Sequence, residues 1–447
     1  MFDKEEFVKK SRENGIVGAG GAGFPFYVKV SSQAHTVLVN AAECEPLLRK
    51  DQVILSLYPQ KVIEGLKLAM KSCGASEGII GIKKKHEKII SRLKEICKSE
   101  KGISVLEMGD YYPAGDEFCL VYEATGKVIA PGAIPLSVGC VVSNVETLYN
   151  AAISRPVTEK FVTIAGEVKN PATMKIPIGV SWKELAEVCG GFKVKNPVAI
   201  DGGPMMGKVI TDFSQPVVKT SAGIIVLDAS HPLIKRKTRG KTQFMSINRS
   251  ACDQCSFCTE FCPRYLLGHN VQPHRVMRSS MFSSDKTKIH NEYSLLCCEC
   301  SLCSLYSCPE GLSPREACLS GKADLKEKGV NVKNSQTAAA SKSQVHPLRE
   351  YRKTPVKKLI KKLGLYELDK PADFIDLSYN PQKVKIMLTQ HAGTPASACV
   401  KIGQKVKKGD IVGTVEEGKL GCPVHASIDG KISDVNLKFV EIEGSNA

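Results

Sequence analysis

Cys252-Asp-Gln-Cys255-Ser-Phe-Cys258-Thr-Glu-Phe-Cys262-Pro263 places four cysteines at intervals of two, two and three residues, with proline directly after the fourth. That spacing lets three thiolates grip one [4Fe–4S] cubane while the fourth reaches a second cluster. A second run, Cys297-Cys298-Glu-Cys300-Ser-Leu-Cys303-Ser-Leu-Tyr-Ser-Cys308-Pro309, keeps the pattern except for one extra residue before its last cysteine. Two runs that exchange fourth ligands must pack pseudo-symmetrically. The exchange assigns Cys252, Cys255, Cys258 and Cys308 to cluster one, and Cys297, Cys300, Cys303 and Cys262 to cluster two. Cys298 offers a shifted register, but the two-residue interval favours Cys297. Zinc sites with four cysteines use two Cys-x2-Cys pairs parted by a spacer. Three cysteines at successive intervals of two instead match the corners of a cubane.

A chain of 447 residues holds about three domains at roughly 150 residues each. No run of about 18 apolar residues occurs, so no membrane span is expected. The N-terminus, Met-Phe-Asp-Lys-Glu-Glu-Phe-Val-Lys-Lys, mixes charges and lacks the apolar core of a secretory signal, which predicts a cytoplasmic location. There, eighteen cysteines are not a disulfide framework; they bind metal or do redox chemistry. The cysteines outside the two runs, from Cys44 to Cys422, read as small buried hydrophobes. Lys plus Arg exceeds Asp plus Glu by 62 to 46, a formal +16. Aromatics are only 6% and no basic run is interleaved with them, so no nucleic-acid partner is expected.

Around the cysteine runs the pattern divides. Residues 1–155 read as an α/β domain with a parallel sheet: strand-like Thr36–Asn40 and Gly78–Ile82 alternate with helical Pro59–Lys71 and Lys84–Lys98. Residues 156–230 read as a small β-grasp unit, with a strand from Phe161 and a helix Trp182–Val188 stopped by Gly190-Gly191. Residues 245–330, helix-poor and turn-rich, carry ten of the eighteen cysteines and form a two-cluster, ferredoxin-like domain. Residues 331–380 read as a basic linker, in which Arg349-Glu-Tyr-Arg-Lys and Lys357 to Lys362 present a solvated basic face. Residues 381–447 show short β runs with Gly-Asp and Asp-Gly turns. Their Gly409–Lys419 stretch has the spacing of biotinyl and lipoyl domains, but Gly418 precedes the lysine. A barrel-sandwich hybrid used for docking or packing is expected, with Lys419 unmodified.

Gly15-Ile-Val-Gly18-Ala-Gly20-Gly21-Ala-Gly23-Phe24-Pro25 permits backbone amides to approach a phosphate. It departs from G-x-G-x-x-G, and Phe-Pro does not open a Rossmann helix. Taken with Lys29, Asn40-Ala-Ala-Glu-Cys-Glu-Pro46, Tyr112-Pro-Ala-Gly-Asp-Glu117 and Ser143-Asn-Val-Glu-Thr-Leu148, it resembles the FMN- and NADH-binding subunit of respiratory complex I and its relative in the Rnf complex, RnfC. The resemblance is closest to cobalamin reductases of the PduS type, in which the barrel lies at the C-terminus.

That resemblance implies an FMN/NADH-binding domain at 1–155 and an SLBB domain at 156–230. Gly18, Gly20, Gly21 and Gly23 with Lys29 would hold the FMN phosphate and ribityl chain, aided by Asn40, Glu43, Gly115, Asp116, Asn144 and Thr147. Phe24 would stack near the nicotinamide, and Glu45 and Glu117 would accept hydrogen bonds from the NADH ribose or carboxamide. Ala42 stands where complex I has an acidic residue. The implied activity is an NADH-dependent oxidoreductase that passes electrons through FMN and two [4Fe–4S] clusters to a low-potential acceptor. A corrinoid, cob(III)alamin or cob(II)alamin, in a bacterial microcompartment fits, with shell or adenosyltransferase proteins as further partners. The alternative is a non-catalytic electron-wire or scaffold subunit feeding a partner redox protein. Flavin is needed because NADH delivers two electrons as hydride and clusters carry one. Two clusters and an FMN phosphate, roughly −2 each, lower the formal charge to about +10.

Overall fold

Thr36-Val-Leu-Val-Asn-Ala41 is apolar toward both faces, as a strand covered on both sides must be. In the computed structural model, which describes residues 2–279, 285–342, 344–377 and 379–444, it is an inner strand of a four-stranded sheet. The order is Ile103–Met108, Glu77–Lys83, Thr36–Ala41, Cys140–Asn144, all parallel. Positions 280–284 of the expected cluster domain, 343 and 378 of the linker, 445–447 of the C-terminal domain and Met1 lie outside the described residues. Helix Pro59–Cys73 opens on proline and stops at Gly74, left-handed at φ 65°. It crosses helix Val145–Ile153 closely, since a Cβ at Gly65 would fall 2.0 Å from the Leu148 carbonyl oxygen. Helix Trp182–Val188, in the SLBB unit, starts with a capping box of Ser181 and Glu184.

The β-grasp unit builds a mixed sheet from Glu159–Gly166, Ala172–Pro177, Gly223–Asp228, Pro197–Asp201 and Lys208–Ile210. Its edge receives a strand from far along the chain, Phe374–Ile375, parallel to Ala172–Pro177. That strand belongs to the stretch expected to be a linker, and the expectation needs correction. Thr354–Pro355 pairs with Tyr111–Tyr112. Helix Val356–Lys362 buries Val356, Leu359 and Ile360 in a core shared with Leu47, Tyr112 and Met205. Arg349 is 4% exposed, ion-paired with Glu123 at 2.7 Å and lying over the Tyr122 ring. Arg352 pairs with Glu260 at 2.8 Å. The segment therefore straps the domains together, and only Lys357, Lys358, Lys361 and Lys362 form the expected solvated face.

The cluster domain also departs from the helix-poor expectation. Helices Lys241–Ala251, Pro273–Ser279 and Pro314–Glu327 dominate it, because the cluster loops are short and the residues between them have helical patterns. The C-terminal domain stacks a four-stranded sheet, order Lys383–Met387, Phe439–Gly444, Gly430–Val435, Lys405–Val406, near a three-stranded one. Among the described residues no helix is long and apolar enough to cross a membrane.

Candidate functional site

The glycine stretch, Asn40–Glu45, Tyr112–Glu117 and Ser143–Thr147 meet at the C-terminal ends of the parallel strands, where open α/β sheets hold ligands. Gly18 N–H donates to the Phe24 carbonyl at 2.9 Å and Gly23 N–H to that of Gly18 at 3.2 Å, closing a loop. Thr147 anchors it, accepting from Ala19 N–H at 3.0 Å and donating to the Val17 carbonyl at 3.3 Å. Gly20 and Gly21 lie at the exposed rim. Gly21 has φ 114° and open space where a Cβ would be. The amides of Gly20, Gly21 and Ala22 have no acceptor among the described residues. Free amides in such a concave turn fit an anionic phosphate. Gly23 is required for another reason: at φ 65°, a Cβ would fall 2.8 Å from Thr220 Cγ2.

Lys29 Nζ donates to the Val142 carbonyl at 2.8 Å and stands 3.7 Å from Glu117. Two residues expected on different ligands are thus ion partners; Phe24 is half-buried. Asn40, Asp116 and Asn144 also brace the cleft. Asn40 donates to the Gly115 carbonyl at 2.7 Å and accepts from Ala42 N–H. Asp116 caps helix Glu117–Thr125 through Phe118 N–H and Cys119 N–H, and Asn144 caps Glu146 N–H while donating to Asp51 at 2.8 Å. Gly115 admits no side chain, since a Cβ would fall 2.7 Å from the Ala42 carbonyl oxygen.

Glu45 reaches the SLBB domain. Its two carboxylate oxygens accept from Met205 N–H at 2.8 Å and Met206 N–H at 2.9 Å, in the SLBB loop Gly202-Gly203-Pro204-Met205-Met206-Gly207. Lys237 Nζ donates to the carbonyls of Met205 and Gly207 in the same loop. The carboxylate is a clasp between domains. Glu43 accepts from Glu45 N–H at 3.1 Å; burial, then the Asp51 carboxylate, push its carboxyl up to about 7.

Beneath the glycine loop lies an ionic network the sequence did not suggest. Lys50 Nζ meets Asp51 at 2.8 Å and Glu146 at 3.2 Å. Lys160, from the SLBB domain, pairs with Glu146 and contacts the Ala19 carbonyl at 3.5 Å. All four are buried, and paired charges are the form in which charges survive burial. Burial pulls Lys160 down to about 8 against the pull of Glu146. Glu146 stays below its ordinary value: burial opposes this, but Lys160 and Lys50 outweigh it. Glu146 lies inside Ser143–Leu148, yet its partner Lys50 is 96 residues away, so no local pattern marks it.

In the cluster domain, Cys252, Cys255, Cys258 and Cys308 line one small cavity. Cys262, Cys297, Cys300 and Cys303, with Cys298, line another. Both loops kink at matching positions, Gln254 and Ser256 in one, Glu299 and Ser301 in the other, all with φ between 60° and 66°. Left-handed conformations of non-glycine residues cost on the order of 1–3 kcal/mol each and persist where function requires them. The extra residue before Cys308 is absorbed by a π-helical turn, Cys303–Ser307, closed by Cys308 N–H on the Cys303 carbonyl at 3.2 Å. Donors reach the sulfurs of Cys252, Cys297 and Cys308 at 3.2 to 3.4 Å. Among the described residues no three ligating side chains converge on a single ion. Thiols arranged around a cavity in this way fit a cubane better than one zinc.

Cluster two's loop abuts the flavin-side loops. Tyr112 donates its hydroxyl proton to the Cys300 carbonyl at 2.7 Å, and Arg264 Nη2 donates to Asp116 at 2.8 Å. Neither contact was foreseen; the only sequence signal was a cation directly after Cys262-Pro263.

Comparison with known proteins fits this division. Residues 11–153 match the Nuo51 FMN-binding domain, 161–209 the SLBB domain, 251–313 the 4Fe-4S dicluster domain and 371–446 the RnfC barrel sandwich hybrid domain. The chain is 39% identical to the cobalamin reductase PduS of Salmonella typhimurium, covering 98% of this chain and 96% of that one. The chain belongs to the PduS cobalamin reductase family. Its PduS relative from Citrobacter freundii is 38% identical, over 99% of this chain and 97% of that one. The RnfC-type component of the Na(+)-translocating ferredoxin:NAD(+) oxidoreductase complex of Acetobacterium woodii is 34% identical over 60% of each chain. An NAD+-reducing [NiFe]-hydrogenase shares the fold at a TM-score of 0.50 and 18% identity, over 77% of this chain and 63% of that chain. This PduS-family chain is an oxidoreductase, an electron-transfer protein with an FMN-binding domain and a 4Fe-4S dicluster domain.

Proposed function

We propose that this protein takes two electrons as hydride from NADH in the cleft under Phe24, Lys29 and Glu117, and delivers them singly to a corrinoid acceptor. FMN, when bound, supplies the conversion from a two-electron to a one-electron donor. The glycine-loop amides and Lys29 would hold its phosphate, and Gly115 would let the backbone approach it. The eight thiols would hold the two clusters in the exchanged sets described above. The observation that carries the reading is the junction of Tyr112 with Cys300 and of Asp116 with Arg264. It supports Cys262, Cys297, Cys300 and Cys303 as the flavin-side set, with the other set, which includes exposed Cys255, as the outlet. Corrinoid as acceptor is supported by the names of the two PduS relatives.

Anaerobic NADH oxidation with a panel of acceptors tests this. NADH should bleach the flavin, and cob(III)alamin or cob(II)alamin should be reduced faster than quinones. Protein with full FMN and both clusters that NADH does not bleach would refute the reading in favour of the electron-wire alternative.

A further inference from the structure

Arg264 stands two residues after Cys262 in the short helix Pro263–Leu266, and it is buried. Its guanidinium carbon lies 3.5 Å from the centroid of the Phe118 ring, close enough for a strong cation–π contact. Its Nη2 donates to Asp116 at 2.8 Å, and its Nε has no acceptor among the described residues. Asp116 in turn caps the helix that begins with Glu117, so the ion pair spans the seam between the flavin-side loop and the cluster loop. A guanidinium stays charged at any working pH, so this seam holds a fixed buried cation with one carboxylate beside it.

We propose that Arg264 is a positioning residue that raises the reduction potential of the cluster held by Cys262, Cys297, Cys300 and Cys303, with Asp116 as the counter-charge that moderates it. The inference rests on reading those four thiols as a cluster site. An added electron on that cluster is a buried negative charge. A fixed cation beside it lowers the energy of the reduced form, and a carboxylate raises it. Because Asp116 also ends the flavin-side loop, the pair fixes the separation of that loop from the cluster.

The test is redox titration of the anaerobically reconstituted full chain, followed by electron paramagnetic resonance, with iron, sulfide and FMN content measured alongside. Cys255→Ser and Cys300→Ser variants assign the two signals. Arg264→Gln should weaken electron uptake by the flavin-side cluster at least tenfold, equivalent to about 59 mV more negative for one electron, with the other cluster unmoved. Arg264→Lys, which keeps the charge, should recover most of that shift. Asp116→Asn, which can still cap the helix, should move the midpoint the other way. An unmoved midpoint in Arg264→Gln with full iron would overturn the proposal, as would Arg264→Lys shifting as far as Arg264→Gln. Should Arg264→Gln lose iron, the sign of the Asp116→Asn shift decides. Wild-type protein without iron and sulfide would instead overturn the cluster reading itself.

Discussion

Substituting Glu45 by Gln separates two roles for one carboxylate. If it orients the nicotinamide, the substitution raises KM for NADH and leaves the protein's local stability alone. In the structure, however, Oε2 takes Met205 N–H and Oε1 takes Met206 N–H, and Lys237 clasps the same loop from its carbonyl side. A hydrogen bond to a charged acceptor contributes about 1.5–3 kcal/mol. Glutamine keeps one acceptor and turns the other into an NH2 that meets a backbone N–H, donor against donor. The loop already packs tightly on this carboxylate, since a Cβ added at Gly203 would fall 2.1 Å from Glu45 Oε2. A local loss of about 3 kcal/mol follows, which speeds opening of residues 201–207 by roughly 100-fold. Hydrogen exchange read by mass spectrometry on that peptide measures it, with NADH KM determined on the same sample. A raised KM with unchanged exchange would refute the clasp and restore the nicotinamide role.

The other predictions concern the cofactor sites and pH. Anaerobically purified protein should hold about eight iron and eight sulfide; Cys255→Ser should lose one cluster's share, while buried, isolated Cys97→Ser should lose none. Lys29→Ala should weaken FMN by about 1–3 kcal/mol, the range for a charge-assisted bond, in a fluorescence titration; unchanged affinity would remove Lys29 from the phosphate site. Glu43, raised from 4.5 to about 7 by burial and then by Asp51, keeps a proton in the folded state that the unfolded chain releases over that interval. Stability should therefore fall as pH rises from 4.5 to 7, by on the order of 1–3 kcal/mol. Melting temperature against pH should be flatter in Glu43→Gln, and parallel curves would count against the shift.

Much of the fold was legible where the signal is local. Thr36–Ala41 and Glu77–Lys83 carry dense apolar runs, Pro59 and Gly74 bracket a helix, and Ser181 and Glu184 cap another; each is a short-range preference that packing did not need to overrule. The gathering of the two cysteine sets around two cavities was legible for the same reason, since it follows from sequence spacing, and even the irregular second run becomes a π-turn. The basic linker was misread because charge pattern reports composition and not partners. Arg349 and Arg352 find Glu123 and Glu260, each well over eighty residues away, and a run of lysines and arginines looks the same whether it faces water or acid.

The bracing partners of the flavin-side polar residues were hidden by a related effect. Asn40, Asp116 and Asn144 are the residue types that accept from backbone N–H groups at turns and helix starts, so a motif rich in them is as much a set of loop braces as a set of ligands. Here they brace: Asn40 ties one cleft loop to another, Asp116 caps its helix and holds Arg264, and Asn144 caps its helix and holds Asp51, while the backbone of Gly20 and Gly21 is left open. Tyr112 and Glu45 extend the bracing outward, to the Cys300 carbonyl and to the SLBB loop. The cleft and the flavin-side cluster thus share their supporting residues. Substitutions in these loops should disturb cofactor binding and electron delivery together, whereas Lys29 and the rim glycines should affect the flavin alone.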